Sequence, residues 1–273
     1  MAKAGRPTKE FQEYICDATN SHVGHSDYLI SPASAFLKYS IEAKSAIDLC
    51  ARQFPKKNNG HFTKDSLDSL QHLTVAVLPS VMGHFETFQR YLFAGIFDLS
   101  VFLNGFKVKS FIDRITKDST LTIDLERLAA FRNIGTGSIG FVIADNLKSW
   151  HNPEKVNSYF KAFGLNFQFY SNDDIKRVRM LWQLRHSIVH TGGTLTLPDS
   201  QKIDELNIHG DKIIAFDKSF IYEVSRKLHP IVKKGTTGLG ADFKLKMKAG
   251  LPVDITQKID DFFDVKSSIP GWL

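Results

Sequence analysis

Residues 181–193 read LWQLRHSIVHTGG. Within one helical run, Arg185, His186 and His190 gather just before Gly192 and Gly193 halt it. Imidazole exchanges protons near neutral pH, and guanidinium presents a fixed fork of donors to phosphate oxygens. The trio therefore has the parts for phosphodiester chemistry. Attack by an RNA 2′-hydroxyl on its neighbouring phosphorus needs a group to accept the hydroxyl proton and a group to protonate the departing 5′-oxygen. It also needs a cation for the charge that builds on the phosphorane. Two histidines and an arginine meet that list without a metal, and a 2′-hydroxyl nucleophile selects RNA over DNA. The alternative is purely electrostatic: three cationic or protonatable groups at a helix C-terminus complement the negative end of its dipole. Spacing alone does not decide, because Arg followed five residues later by His is a cheap pattern.

The helix that must position these groups is well punctuated. SNDDIKRVRMLWQLRHSIVH (171–190) opens with Ser and Asn cap candidates and first-turn acids, and it stops at the glycine pair. Met180, Leu181, Leu184, Ile188 and Val189 form its apolar face. His186 and His190, one turn apart, share another face, with Arg185 at the adjacent edge.

Helical signals dominate elsewhere. Ser31 and Pro32 open a helix over 31–54, and residues 55–62 form a polar loop with Asn-Asn-Gly turn chemistry. A second helical region starts near Lys64 and is expected to break or kink at Pro79 before a long helix over 83–103. Further helices are expected over 122–133, 141–150 and 218–234, and over 152–165 with Asn152 as N-cap and Pro153 at the first helical position. Strand signals appear only in ELNIHGDKIIAFD (205–217), a hairpin around His209-Gly210-Asp211. Glycine and lysine enrichment over 235–252 reads as a mobile loop or lid. The expected fold is mainly α, a multi-helix up-down bundle with a short β-hairpin near 205–216. Its expected parts are an N-terminal helical extension (1–60), a bundle (61–235) containing the motif helix 171–191, and a basic C-terminal segment (236–273).

Other motifs fail on context. GTGSIG (135–140) has dinucleotide-site spacing but follows a helical pattern rather than a strand, so it reads as a loop between helices and implies no cofactor. No G-K-[ST] follows it. His22 and His25 lack a third ligand at a recognisable spacing, so no metal is expected, and no G-x-S-x-G elbow presents a nucleophile. Lys233, Lys234, Lys244, Lys246 and Lys248 read singly as solvated charge.

With 273 residues and 42% hydrophobic content the chain can bury a substantial core, and its net charge of +6 favours a polyanionic partner such as nucleic acid. Cys16 and Cys50 suggest neither a disulfide framework nor a thiolate metal site. The N-terminus lacks a signal-peptide core, and the apolar stretch 91–106 is too short for a bilayer and contains Asp98. A cytoplasmic protein without membrane contact is expected.

Taken together, R-H-S-I-V-H-T-G-G closing a helix in a helical chain resembles the signature of the HEPN superfamily (higher eukaryotes and prokaryotes nucleotide-binding domains): Arg, a polar residue, then a His a few residues on. Arg185, His186 and His190 fall on those positions, and the resemblance runs from about Phe85 to Lys234. It implies a bundle that pairs through its motif helices, bringing two copies of Arg185 and His190 into one cleft at a two-fold axis. It further implies a homodimeric, metal-independent endoribonuclease of a toxin, abortive-infection or antiviral system, restrained by a cognate antitoxin or regulatory protein. Arg185 would meet the phosphate, His190 would move protons, His186 would orient substrate, and Glu86 would support the site from the long helix. Some members are instead non-catalytic RNA-binding or protein-binding modules. Members regulated by adenylylation often carry a Tyr where this chain has Gly192, so that regulation is not expected here.

Overall fold

Apolar residues recurring at three- and four-residue spacings build this chain into helices that share one core. A computed structural model describes residues 10–17, 22–118 and 138–267. Helices α1 (His25–Ile30), α2 (Pro32–Gln53), α3 (Lys64–Leu99) and α4 (Val108–Asp118) are followed by α5 (Ile139–Asn146), α6 (Pro153–Lys161) and α7 (Asn172–His190). After α7 come a strand β1 (Thr194–Leu195), a single turn of helix α8 (Leu197–Ser200), a 3-10 segment (Asp204–His209) and β2 (Lys212–Ile213). Two helices, α9 (Phe220–Leu245) and α10 (Val253–Phe263), complete the described chain. The mainly helical class is as expected. None of the described helices is long and apolar enough to cross a membrane.

Helix α3 is the axis of the fold. Phe85, Phe88, Leu92 and Ile96 run along one face with no exposed surface, and α2 and α5 pack on either side. Pro79 does not break it: α3 is continuous from Lys64 to Leu99. Proline removes one hydrogen-bond donor, but Leu78, Val81 and Met82 beside it are fully buried, and their packing holds the helix through the defect.

The expected helix over 122–133 and the first glycines of GTGSIG lie outside the described residues. The motif's last three residues start α5: the Ser138 hydroxyl accepts the Phe141 N–H at 3.1 Å, and Gly140 lets α5 touch the α3 backbone. A Cβ on Gly140 would fall 2.2 Å from the Ala94 carbonyl oxygen, and the Gly140 N–H donates to Asp98 at 3.2 Å. This glycine serves helix packing. Gly140→Ala is expected to force α5 off α3 and to cost about 1–3 kcal/mol, the usual range for overpacking, read as a lowered midpoint in urea.

The reading of the C-terminal glycines needs correction. The 235–252 stretch is not a loop over most of its length, because α9 runs on to Leu245. Its glycines provide close approach: a Cβ on Gly235 would lie 2.4 Å from the Phe169 ring, and one on Gly240 would lie 2.7 Å from Phe263. One buried cluster also extends from Tyr28 and Phe36 to Phe243 and Phe263, so the helices of 1–60 and 236–273 join the same core as the bundle. The two-stranded antiparallel sheet does form, but β2 takes a partner from further back. Thr194 pairs with Ile213 and Leu195 with Lys212, while residues 204–209 wind into the 3-10 segment.

A polar aromatic cluster joins α1, α2 and α3. Tyr28 Oη and His84 Nδ1 are hydrogen-bonded at 2.8 Å, and the Tyr39 ring stacks on His84 with centroids 3.4 Å apart. Burial holds the His84 pKa below the usual imidazole range. In the unfolded chain the same ring takes up a proton near pH 6.5, so acid favours unfolding. The His84 contribution is complete above that pH and is lost as pH falls toward the depressed folded value. The melting temperature is expected to drop between about pH 7 and pH 5, and His84→Gln should flatten that profile. His229, whose pKa burial also lowers, is expected to keep part of the slope in that variant. An unchanged profile in the variant would show that His84 carries none of it.

Candidate functional site

The last turns of α7 are fixed at both ends. At its start Ser171 and Asp174 form a reciprocal cap: the Ser171 hydroxyl accepts the Asp174 N–H at 3.3 Å, and Asp174 accepts the Ser171 N–H at 3.1 Å. At its end the Ser187 carbonyl accepts three donors: the N–H of Thr191 and of Gly193, each at 3.2 Å, and the Thr191 hydroxyl at 2.8 Å. Gly192 and Gly193 carry φ of +62° and +79°, the left-handed region that a side chain would strain. Chain reversal is therefore built into the two residues that follow the candidate groups.

His186 and His190 share a face, with ring centroids 4.8 Å apart, and both are exposed. Arg185 sits on the neighbouring edge and is half-buried. Its Nε–H is shut off from solvent and meets no protein acceptor. Leaving a buried donor of a charged group unpaired is costly, so such an atom in a folded protein asks for a partner. On the opposite side Ser187 is fully buried and receives the Gln183 amide at 3.3 Å, which ties the site's own turn to the interior.

Beside His186 opens a cleft of about 370 Å³ that also reaches Arg179, Trp182, Gln183, His151 and Lys202. Arg179 is ion-paired with Glu154, and Lys202 donates to Asp199 at 2.6 Å. The Asp199 carboxyl is held below the usual carboxylate range, chiefly by that Lys202 hydrogen bond and in smaller part by the charge of His186. A buried anion thus stands within electrostatic reach of the imidazole. The Trp182 indole meets the His151 ring edge-on at 6.3 Å. The cleft thus brings an aromatic edge, an amide and two basic side chains beside His186.

Of the residues singled out in the sequence, the fold brings His186 and His190 together and sets Arg185 one helix edge away. Glu86 is engaged elsewhere: it accepts two hydrogen bonds from Arg90, at 3.0 and 2.5 Å, and Arg90 also reaches Asp145 at 3.0 Å. The Glu86 carboxylate serves an α3–α5 ion-pair network. His25 pairs with the Tyr91 hydroxyl, and His22 is exposed. Among the described residues no three His, Cys, Asp or Glu side chains are placed to hold a metal. Arg179, Trp182 and Gln183, which lie seven, four and three positions before His186 on the same helix, carry no motif that marks them in the sequence. His151 and Lys202 arrive from other elements, and no local signal announces them.

No family model, no curated protein and no solved structure matches this chain.

Proposed function

We propose that this protein is an endoribonuclease that cleaves RNA by attack of the 2′-hydroxyl, with Arg185, His186 and His190 as its working groups. The observation that carries the reading is the Arg185 Nε–H, buried without an acceptor beside two exposed histidines 4.8 Å apart. A phosphate oxygen is the acceptor that guanidinium geometry suits best, and an imidazole can take up or return a proton of the reaction. Arg185 stabilises the phosphorane, His190 transfers protons, and His186, facing the nucleotide cleft, orients the strand. No step assigned to these groups calls on a metal. The likeness of R-H-S-I-V-H to the HEPN signature supports the same assignment.

The site becomes complete in a homodimer that abuts two α7 helices. Val189, 47% exposed between His186 and His190 in sequence, supplies an apolar contact at that face. Acid and base then come from two chains. A toxin or antiphage role, with an antitoxin or another regulatory protein in control and the cytoplasm as the compartment, follows from the HEPN likeness. A non-catalytic dimerisation or RNA-binding module is the alternative, and it needs neither imidazole for activity.

Cleavage of a labelled RNA should persist in the presence of a chelator and disappear in His190→Ala. Cleavage that stops on chelation would sink the metal-free mechanism. Gel filtration is expected to show a dimer, and a strictly monomeric active enzyme would remove the composite site.

A further inference from the structure

A cleft of about 550 Å³ lies between the C-terminal end of α2 and the start of α9, lined by Lys44, Arg52, Lys56 and Lys218 and by a single carboxylate, Asp48. Asp48 stands 3.8 Å from Lys44. Among the described residues, Arg52, Lys56 and Lys218 form no ion pair. Neighbouring acids are already committed: Asp217 accepts the Ser219 N–H at 2.9 Å and its hydroxyl at 2.5 Å, and Glu223 is paired with Arg226 at 2.8 Å.

Aromatic rings set the positions of the lysines without neutralising them. The Lys44 ammonium lies 5.0 Å from the Tyr222 ring centre, while those of Lys56 and Lys218 lie 5.2 and 5.4 Å from that of Phe62. The cleft therefore has two cationic foci, each beside an aromatic ring. Other clefts differ. Near Lys107 the cations Arg114 and Lys246 donate to the carbonyls of Ala162 and Gly164 and so cap the end of α6. The cleft at Lys244 is lined by Asp260, Asp261 and Asp264.

We propose that the α2–α9 cleft binds the phosphate backbone of a single RNA strand, with Lys44 at one focus, Lys56 and Lys218 at the other, and Arg52 forked onto a phosphate. Cations gathered at two foci suit the successive phosphates of a strand better than one compact polyphosphate group. That the polyanion is RNA rests on the reading of the α7 site; the cationic cleft itself does not.

The test is fluorescence anisotropy of a labelled oligouridylate with full-length protein in a His190→Ala background, where binding is read without cleavage. Arg52→Ala/Lys218→Ala removes two exposed cations. It is expected to weaken binding about tenfold at roughly 0.1 M salt and to reduce the slope of log K against log salt by about 1.4, or about 0.7 for each phosphate contact on a single strand. An unchanged slope would overturn the proposal, as would an equal loss from Lys233→Ala/Lys234→Ala on the exposed side of α9. Loss of nucleoside triphosphate binding with RNA binding intact would overturn the assignment to a strand. The two readings fail separately. Binding that depends on Arg52 and Lys218 without any cleavage by wild-type protein sinks the enzyme alone, whereas cleavage with no such dependence sinks the cleft alone.

Discussion

Replacing Arg185 or His190 with alanine is expected to reduce RNA cleavage by about 10²–10⁴-fold, the range for a lost proton-transfer group or a lost donor to transition-state charge. The two variants should differ in how they lose it. His190 is exposed at the helix end, so His190→Ala should leave folding and RNA affinity intact and appear in kcat. Arg185 is half-buried with an unpaired Nε–H, so Arg185→Ala removes a group that also strains the free protein. The variant is therefore expected to be as stable as wild type or more so while losing activity, a combination seen where function is bought with a destabilised site. Arg185→Lys keeps the charge but not the fork and should recover little. A thermal melt read beside the cleavage assay separates the possibilities. If Arg185→Ala were strongly destabilised and its residual activity followed only the folded fraction, Arg185 would be a structural residue and the assignment to phosphate would be withdrawn. If both variants cleaved RNA normally, helix-dipole complementation would be the whole reason for these residues.

Local chemistry made part of this molecule legible. The Ser171–Asp174 cap, the Asn152 cap that accepts the Glu154 and Lys155 N–H groups, and the left-handed Gly192 and Gly193 are encoded within a few residues, and each was readable as punctuation. What the sequence left unsaid depends on distant partners. Pro79 looked like a break because propensity is local, whereas the packing of Leu78, Val81 and Met82 is not. Gly235 and Gly240 looked like a flexible stretch until Phe169 and Phe263 filled the space beside them. The partner of β2 could not be read from 205–217, because it lies on the far side of α8. At the site, the shared face of His186 and His190 followed from helical periodicity. Periodicity also contained Arg179 and Trp182, but their meaning emerges only once His151 and Lys202 close the cleft from other elements.

The same dependence on distant partners sets the second large effect, at Phe93. This ring is fully buried on α3 and stands among five others: Phe163 at 5.0 Å, Trp150 at 5.6 Å, Phe111 at 6.0 Å, Phe160 at 6.3 Å and Tyr159 at 6.4 Å. Those partners belong to α4, α6 and the turns beside α6, so Phe93 is where α3 holds the elements that lead into α7. Phe93→Ala would leave a cavity that rigid aromatic walls cannot close, and the expected cost is about 3–5 kcal/mol. Since domains of this kind have about 5–15 kcal/mol in all, the variant should melt far below wild type or fail to accumulate folded at 37 °C. Phe93→Leu retains most of the volume and should cost less than half as much, which distinguishes loss of packing from loss of an aromatic contact. Denaturation midpoints of the two variants decide the matter. A small loss in Phe93→Ala would mean that the ring cluster relaxes into the gap, and that α6 is held instead by its caps and by the Trp150 indole N–H donated to the Ala144 carbonyl at 2.9 Å. If the cost is as large as expected, the cleft beside His186 inherits its rigidity from this cluster, because His151, Asn152 and Pro153 line that cleft directly after Trp150 in the chain. On the proposed function, Phe93→Leu should then raise KM for RNA more than it lowers kcat, since the histidines on α7 keep that helix's own caps while the cleft wall at His151, Asn152 and Pro153 loosens.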